Sequence, residues 1–161
     1  MRGGALPAAM AIAGLALMLG FATRRTIAAA LVLAGACLAT ASFAPVPDLW
    51  VEAIFLGCWA SVAVSALCTY LPRPVAPSVA CLLASFAGMS AGLAIAAEGR
   101  PTDVALPILA ALLVVPAQLA VAKGYAVAPR IVASWLIAVA VLAAILPHVV
   151  THPGYVPDHR G

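Results

Sequence analysis

Glu52 is the carboxylate that this sequence places inside a long apolar segment. It lies in residues 50–71, WVEAIFLGCWASVAVSALCTYL, the clearest hydrophobic stretch of the chain. An ionisable group within a membrane segment is costly and suggests an ion or proton site. Glu52 follows Trp50 within one helical turn, however, and Trp is typical of the membrane interface. We therefore interpret Glu52 as a candidate pathway residue at the rim of a span.

Small polar side chains share another side of the same segment. At about 100° per residue, a helical wheel groups its hydroxyls and thiols on one face. These residues are Cys58, Ser61, Ser65, Cys68 and Thr69. In a membrane helix such a face either packs against a neighbouring helix or lines a pathway for an ion or polar solute. The candidate pathway residues are Glu52, Ser61, Ser65 and, in a later segment, Gln118.

Pro116 interrupts that later segment, two residues before Gln118. Proline lacks the backbone N–H that an interior helical position donates, so it breaks or kinks a helix. A kink beside a polar side chain is typical of helices that hinge or line a cavity. We predict a hinge at Pro116, and a static kink is the alternative.

A stripe of very small residues runs along residues 75–97. Its members recur every four positions, which places them on one face of a helix. They are Ala80, Ala84, Gly88 and Gly92. Small side chains allow two membrane helices to approach closely. We predict that this stripe is a helix-packing interface, and that it meets the Ser and Cys face of residues 50–71.

The residues nearest to a metal-ligating pattern are His148 and His152, four positions apart. This spacing suits two ligands on a helix, but Pro147 and Pro153 disfavour a regular helix there. We therefore expect no metal site. The sequence also lacks a Gly-rich phosphate loop, a nucleophile elbow and an HExxH motif, so we expect no catalytic residues, no cofactor and no enzyme.

The elements that carry these residues are apolar segments of membrane-spanning length. The chain has 161 residues, of which 66% are hydrophobic and 8% charged, and its mean hydropathy is +1.17. About 20 apolar residues cross a hydrocarbon core of about 30 Å as a helix, whereas the strands of a membrane barrel would alternate apolar and polar positions. We predict an all-α membrane protein, a bundle of six transmembrane helices. The spans cover residues 5–22, 26–43, 50–71, 75–97, 104–122 and 131–150, and residues 151–161 form a short polar tail.

Corners of proline and aspartate suggest an internal repeat. They end at Asp48, Asp103 and Asp158, which are equally spaced along the chain. Each corner would close one pair of helices joined by a basic turn, so the bundle would consist of three helical hairpins. Coincidence is the alternative, because the chain contains 13 prolines.

The basic residues orient such a bundle. Five of the eight Lys and Arg residues fall in turns on one side: Arg24, Arg25, Arg73, Lys123 and Arg130. The positive-inside rule places that side in the cytoplasm and both termini in the periplasm. The net charge of +3 is scattered rather than clustered, so we expect no nucleic-acid partner.

These features predict a multi-pass protein of a bacterial inner membrane. The function that we favour is a transporter or channel-like component for an ion or small solute, acting as a homo-oligomer in the lipid bilayer. The alternative is a non-catalytic accessory or assembly subunit that packs within a larger membrane complex. The short loops and the small-residue faces are compatible with both.

Overall fold

The computed structural model describes residues 4–98 and 100–146, and these ranges contain helices and turns but no strand. The helices are α1 (Ala5–Leu19), α2 (Arg24–Ala41), α3 (Val51–Cys68), α4 (Pro77–Glu98), α5 (Ala105–Ala111), α6 (Val114–Ala122) and α7 (Val127–Ile145). Short 3-10 turns, Asp48–Trp50 and Pro101–Val104, precede α3 and α5. The predicted all-α class is confirmed for the described part of the chain.

Five helical stretches in the described ranges are long and apolar enough to cross a membrane, judged by length and composition. They are Arg24–Ala41, Asp48–Cys68, Pro77–Glu98, Thr102–Ala122 and Val127–Ile145. The chain thus has the character of a multi-pass membrane protein. The predicted count of six spans is not confirmed, because α1 has 15 residues and covers only about 22 Å at 1.5 Å per residue.

Helix α1 lies at the centre of the packing. It contacts α3, α4 and α5, and more weakly α6 and α7. Leu15 and Leu19 are fully buried, and the buried positions of α1 occur on every side of the helix. A helix that is apolar all round belongs in an interior. The short α1, and not the more conspicuous apolar stretch of residues 50–71, therefore lies at the centre of the packing.

The most extensive packing joins α2 to α4. Gly88 of α4 lies against Ala34 of α2, and Gly92 lies against Leu38, so the two helices run parallel. Consecutive helices therefore do not form the main pairs. The predicted arrangement of three hairpins is not confirmed.

The fifth predicted span is divided into α5 and α6. Leu112 and Leu113 donate backbone hydrogen bonds three residues back, to Leu109 and Ala110, instead of four. The α-helical pattern resumes with α6 at Val114. The chain therefore tightens into a short turn just before Pro116, where the missing N–H already prevents a regular ladder.

Helix α7 begins at Val127, earlier than the predicted start of its span at residue 131. Pro129 and Arg130 belong to its first turns rather than to a loop. Proline is tolerated there because the first four N–H groups of a helix have no intrahelical acceptor. This shift places the Arg130 side chain on a helix that packs against α3.

The turn before α7 is closed by Gly124. Its φ of +82° is the one positive value among the described residues, and a side chain would oppose this backbone conformation. Tyr125 N–H donates to Ala120 C=O at 2.8 Å, and Gly124 N–H donates to Val121 C=O at 3.0 Å. This is the Schellman pattern that ends helices at glycine.

Candidate functional site

Buried polar side chains of α3 and α4 form a line through the packed interior, which we call the polar seam. Its members are Cys58, Ser61, Ser65 and Thr69 of the α3 segment and Ser90 of α4, and all five are buried. From Cys58 to Thr69 the seam covers about 16 Å at 1.5 Å per residue. The predicted Ser and Cys face of residues 50–71 therefore points inward, although Cys68 is only half-buried.

Most hydroxyls of the seam are satisfied by their own helix. Ser61 Oγ donates to Cys58 C=O at 2.7 Å, and Thr69 Oγ1 donates to Ala66 C=O at 2.7 Å. Ser90 Oγ donates to Ala87 C=O at 3.2 Å. Ser and Thr commonly form such backbone bonds in membrane helices, where no water is present to take the hydrogen bond.

Ser65 is the exception. Its side chain has 0% exposure, and its Oγ has no hydrogen-bond partner. Among the described residues, the only other buried side-chain nitrogen or oxygen atom without a partner is one carboxylate oxygen of Glu98. Buried polar atoms in native proteins nearly always have a partner. The Ser65 hydroxyl is therefore the one hydroxyl of the seam whose hydrogen-bonding capacity the described chain does not use.

Gly14 of α1 brings the backbone of that helix close to Ser65. A Cβ added at Gly14 would lie 3.3 Å from Val62 O and 3.7 Å from Ser65 Cβ. The residue of α1 that approaches Ser65 is thus one without a side chain. Any larger residue at position 14 would press against the backbone of α3 at Val62.

Ser90 connects the seam to α4. Its side chain lies beside the fully buried thiol of Cys58. This pair closes the inner end of the seam.

The other end of the seam is closed by Arg130 of α7. Arg130 Nε donates to Thr69 C=O at 3.3 Å, and Tyr70 Oη donates to Arg130 C=O at 2.6 Å. The guanidinium also lies over the Phe21 ring, 5.8 Å from its centroid, within the range of a cation–π contact. Phe21 follows α1, Thr69 follows α3, and Arg130 lies in the first turns of α7. Three loops therefore meet at this end of the bundle.

Glu52 and Gln118 lie apart from the seam. Glu52 is exposed in the first turn of α3. It is about 180° around the helix from Ser61 and about 13 Å along its axis. Gln118 is half-buried on α6, a helix that packs against α1 and α7. Of the predicted pathway residues, the structure brings together Ser61 and Ser65.

The small-residue stripe of α4 is buried, but its partner differs from the expected one. Ala80 and Ala84 are 1% and 0% exposed. A Cβ added at Gly92 would lie 2.6 Å from Leu38 O, and one at Gly88 would lie closer still to Ala34 O. The stripe thus packs against α2, not against the Ser and Cys face of α3. The reason is that α4 has two buried small-residue faces, and the second, with Ser90, meets α3.

Pro116 itself is exposed on α6. The break in the helix lies immediately before it, at residues 112 and 113. Its role as a hinge stays a prediction.

Sequence reasoning missed three residues of this region: Gly14, Ser90 and Arg130. Gly14 and Ser90 carry a usable signal, since each is a small residue in an otherwise apolar segment. Arg130 was assigned to the end of a basic turn, residues 123–130, because Gly124 and Pro129 lie in that stretch. Its contacts become visible only once α7 is placed against α3.

The described residues contain no group of three or more His, Cys, Asp or Glu side chains that could hold a metal ion. His148 and His152 lie outside the described ranges, as do Asp158 and the predicted polar tail. No protein-family model matches the chain, and comparisons with curated proteins and with solved structures found no match.

Proposed function

We propose that this protein is a transporter or channel-like component for an ion or small solute, and that the polar seam is the inner part of its pathway. The observation that carries the proposal is the buried, unpartnered hydroxyl of Ser65. Polar residues that face the interior of a membrane bundle often mark substrate or ion pathways. Ser61 and Ser65 would line the pathway, and Arg130 would stand at its mouth.

The number of membrane crossings and the orientation of the chain are part of the same proposal. With α1 counted as a short, protein-enclosed span, the chain crosses a bacterial inner membrane six times and both termini are periplasmic. Helix α1 is surrounded by other helices, so its ends need not reach the lipid headgroups. The basic turns would then face the cytoplasm.

Reconstituted vesicles test the pathway directly. Proton flux is followed with an enclosed pH-sensitive dye, and the flux of water and glycerol is followed by light scattering. Replacement of Ser65 by Leu should abolish the flux found for the wild type, because the larger side chain enters the close contact between α3 and Gly14 of α1 and obstructs a route along the seam. The matched control is Val64→Leu, one residue away on the exposed side of α3, which should leave the flux unchanged.

Glu52 has a weaker role in this proposal. Because it is exposed at the far end of α3, it would attract cations rather than bind them, so Glu52→Gln should lower cation flux less than Ser65→Leu. Wild-type vesicles that conduct none of the three probes, or equal flux in wild type and Ser65→Leu, would contradict the proposal.

An accessory or assembly subunit is the second candidate, and the outer face of α2 favours it. Its exposed positions include the small residues Ala28, Ala29, Gly35, Ala36 and Ala39, whereas the exposed face of α7 carries Ile131, Trp135 and Leu142. Small residues are typical of helix–helix contacts in membranes. Purification in a gentle detergent distinguishes the two functions, since a particle that contains only this chain argues against an accessory role.

A further inference from the structure

Arg130 is held in place by contacts that leave part of its guanidinium free. Nε donates to Thr69 C=O, and the Phe21 ring lies under the group at 5.8 Å. The two Nη groups form no hydrogen bond or ion pair with any part of the chain that the structure describes. A guanidinium fixed through Nε and an aromatic ring presents its remaining donors in a defined direction.

The charges near Arg130 have one sign. Arg130 contacts both Thr69 and Phe21, so the α1–α2, α3–α4 and α6–α7 turns lie together at one end of the bundle. Other exposed cations on these turns are Arg24, Arg25, Arg73 and Lys123. The carboxylates of the described residues lie at the opposite end of the bundle. They are Asp48, Glu52, Glu98 and Asp103. No described carboxylate is therefore available to neutralise the free Nη groups.

Apolar side chains flank the same junction on both helices. Leu67 and Leu71 on the α3 side, and Val127 and Ile131 on α7, are each about half exposed or more. In a bilayer these side chains contact acyl chains. Charge and apolar surface thus occur together within about one helical turn of Arg130. The charge suits a phospholipid headgroup, and the apolar side chains suit its acyl tails.

We propose that the junction of α3 and α7 binds an anionic phospholipid, with the lipid phosphate held by the Nη groups of Arg130. Arg73 and Lys123 add long-range attraction, and the apolar side chains of both helices contact the acyl chains. A lipid bound here covers the mouth of the polar seam. Lipid binding at this junction requires no transport through the seam.

Native mass spectrometry of the detergent-purified protein tests this proposal. We expect phosphatidylglycerol to bind about tenfold more tightly than phosphatidylcholine, because both carry a phosphate but the choline cation of phosphatidylcholine offsets its charge and is repelled by the basic turns. Arg130→Gln should remove this preference, and Arg130→Lys should keep part of it. The matched control, Arg100→Gln, removes an exposed arginine from the opposite end and should leave the preference unchanged. Inorganic phosphate should not compete, because it lacks acyl chains.

A second variant covers the case in which Arg130→Gln fails to fold. The double substitution Arg73→Gln, Lys123→Gln alters exposed residues that form no side-chain hydrogen bond in the described structure. It should lower the preference severalfold, and added salt should reduce it further. The absence of a preference in the wild type, a preference that survives every substitution, or displacement by inorganic phosphate would each overturn the proposal.

Discussion

The hydroxyl of Ser65 differs from its neighbours in its hydrogen bonding, not in its burial. Ser61, Thr69 and Ser90 each donate to a backbone carbonyl three residues earlier, whereas Ser65 Oγ has no partner. A buried polar group without a partner costs about 1–3 kcal/mol, while a made hydrogen bond contributes about 1 kcal/mol. Two serines on the same face of one helix should therefore respond oppositely to the loss of their hydroxyls.

Ser65→Ala is expected to raise the stability of the detergent-solubilised protein by about 1 kcal/mol, because the substitution removes an unsatisfied buried hydroxyl. Ser61→Ala is expected to lower it by about 0.5–1 kcal/mol, since a 2.7 Å hydrogen bond is lost. Thermal unfolding measures both. Equal destabilisation by the two substitutions would show that the Ser65 hydroxyl is satisfied within the bundle, and would remove the main support for the pathway.

At the scale of the helices, contact between α2 and α4 depends on the absence of side chains at two positions. The backbone of α2 occupies the places where Cβ atoms of residues 88 and 92 would lie. Gly35 on the outer face of α2 has no atom within 4 Å of its own added Cβ. The two kinds of glycine therefore provide an internal comparison.

Gly88→Ala should destabilise the protein by roughly 1–3 kcal/mol, because the new methyl group forces α2 away from α4. Gly35→Ala should be neutral, or stabilising by up to about 1 kcal/mol, since alanine favours the helix and meets nothing. Thermal unfolding of the two variants in the same detergent compares them. If Gly35→Ala is the more damaging, α2 packs through its other face.

The break between α5 and α6 supports a second prediction about an element. Pro116→Ala restores an N–H that can donate to Leu112 C=O, so α5 and α6 should approach one continuous helix. Pro116 is exposed, and its removal leaves no cavity. Spin labels at the exposed Leu106 and Leu119 should then report a narrower and longer distance distribution. Val115→Ala is the control, and an unchanged distribution in Pro116→Ala would argue against a hinge.

At the scale of the whole molecule, the sequence predicted the segments better than their arrangement. Apolar runs and proline breaks located the segments in which the described helices lie, because these signals act locally. The neighbours of each helix depend on which faces fit together. Residues of α4 such as Gly88 and Ser90 lie on two different small-residue faces, and composition does not distinguish their partners. Arg130 was missed for the same reason, since its hydrogen bond joins it to a residue 61 positions away.

The separation of charge between the two ends leads to the last prediction, the orientation in the membrane. Basic turns that meet near Arg130 should face the cytoplasm, because translocation of Lys and Arg is disfavoured. In a background without native cysteines, Thr102→Cys should react with an impermeant maleimide in intact cells. Arg73→Cys should react only after permeabilisation, and both positions are exposed. The reverse labelling pattern would place the polar seam's mouth outside, and with it the proposed anionic lipid in the outer leaflet.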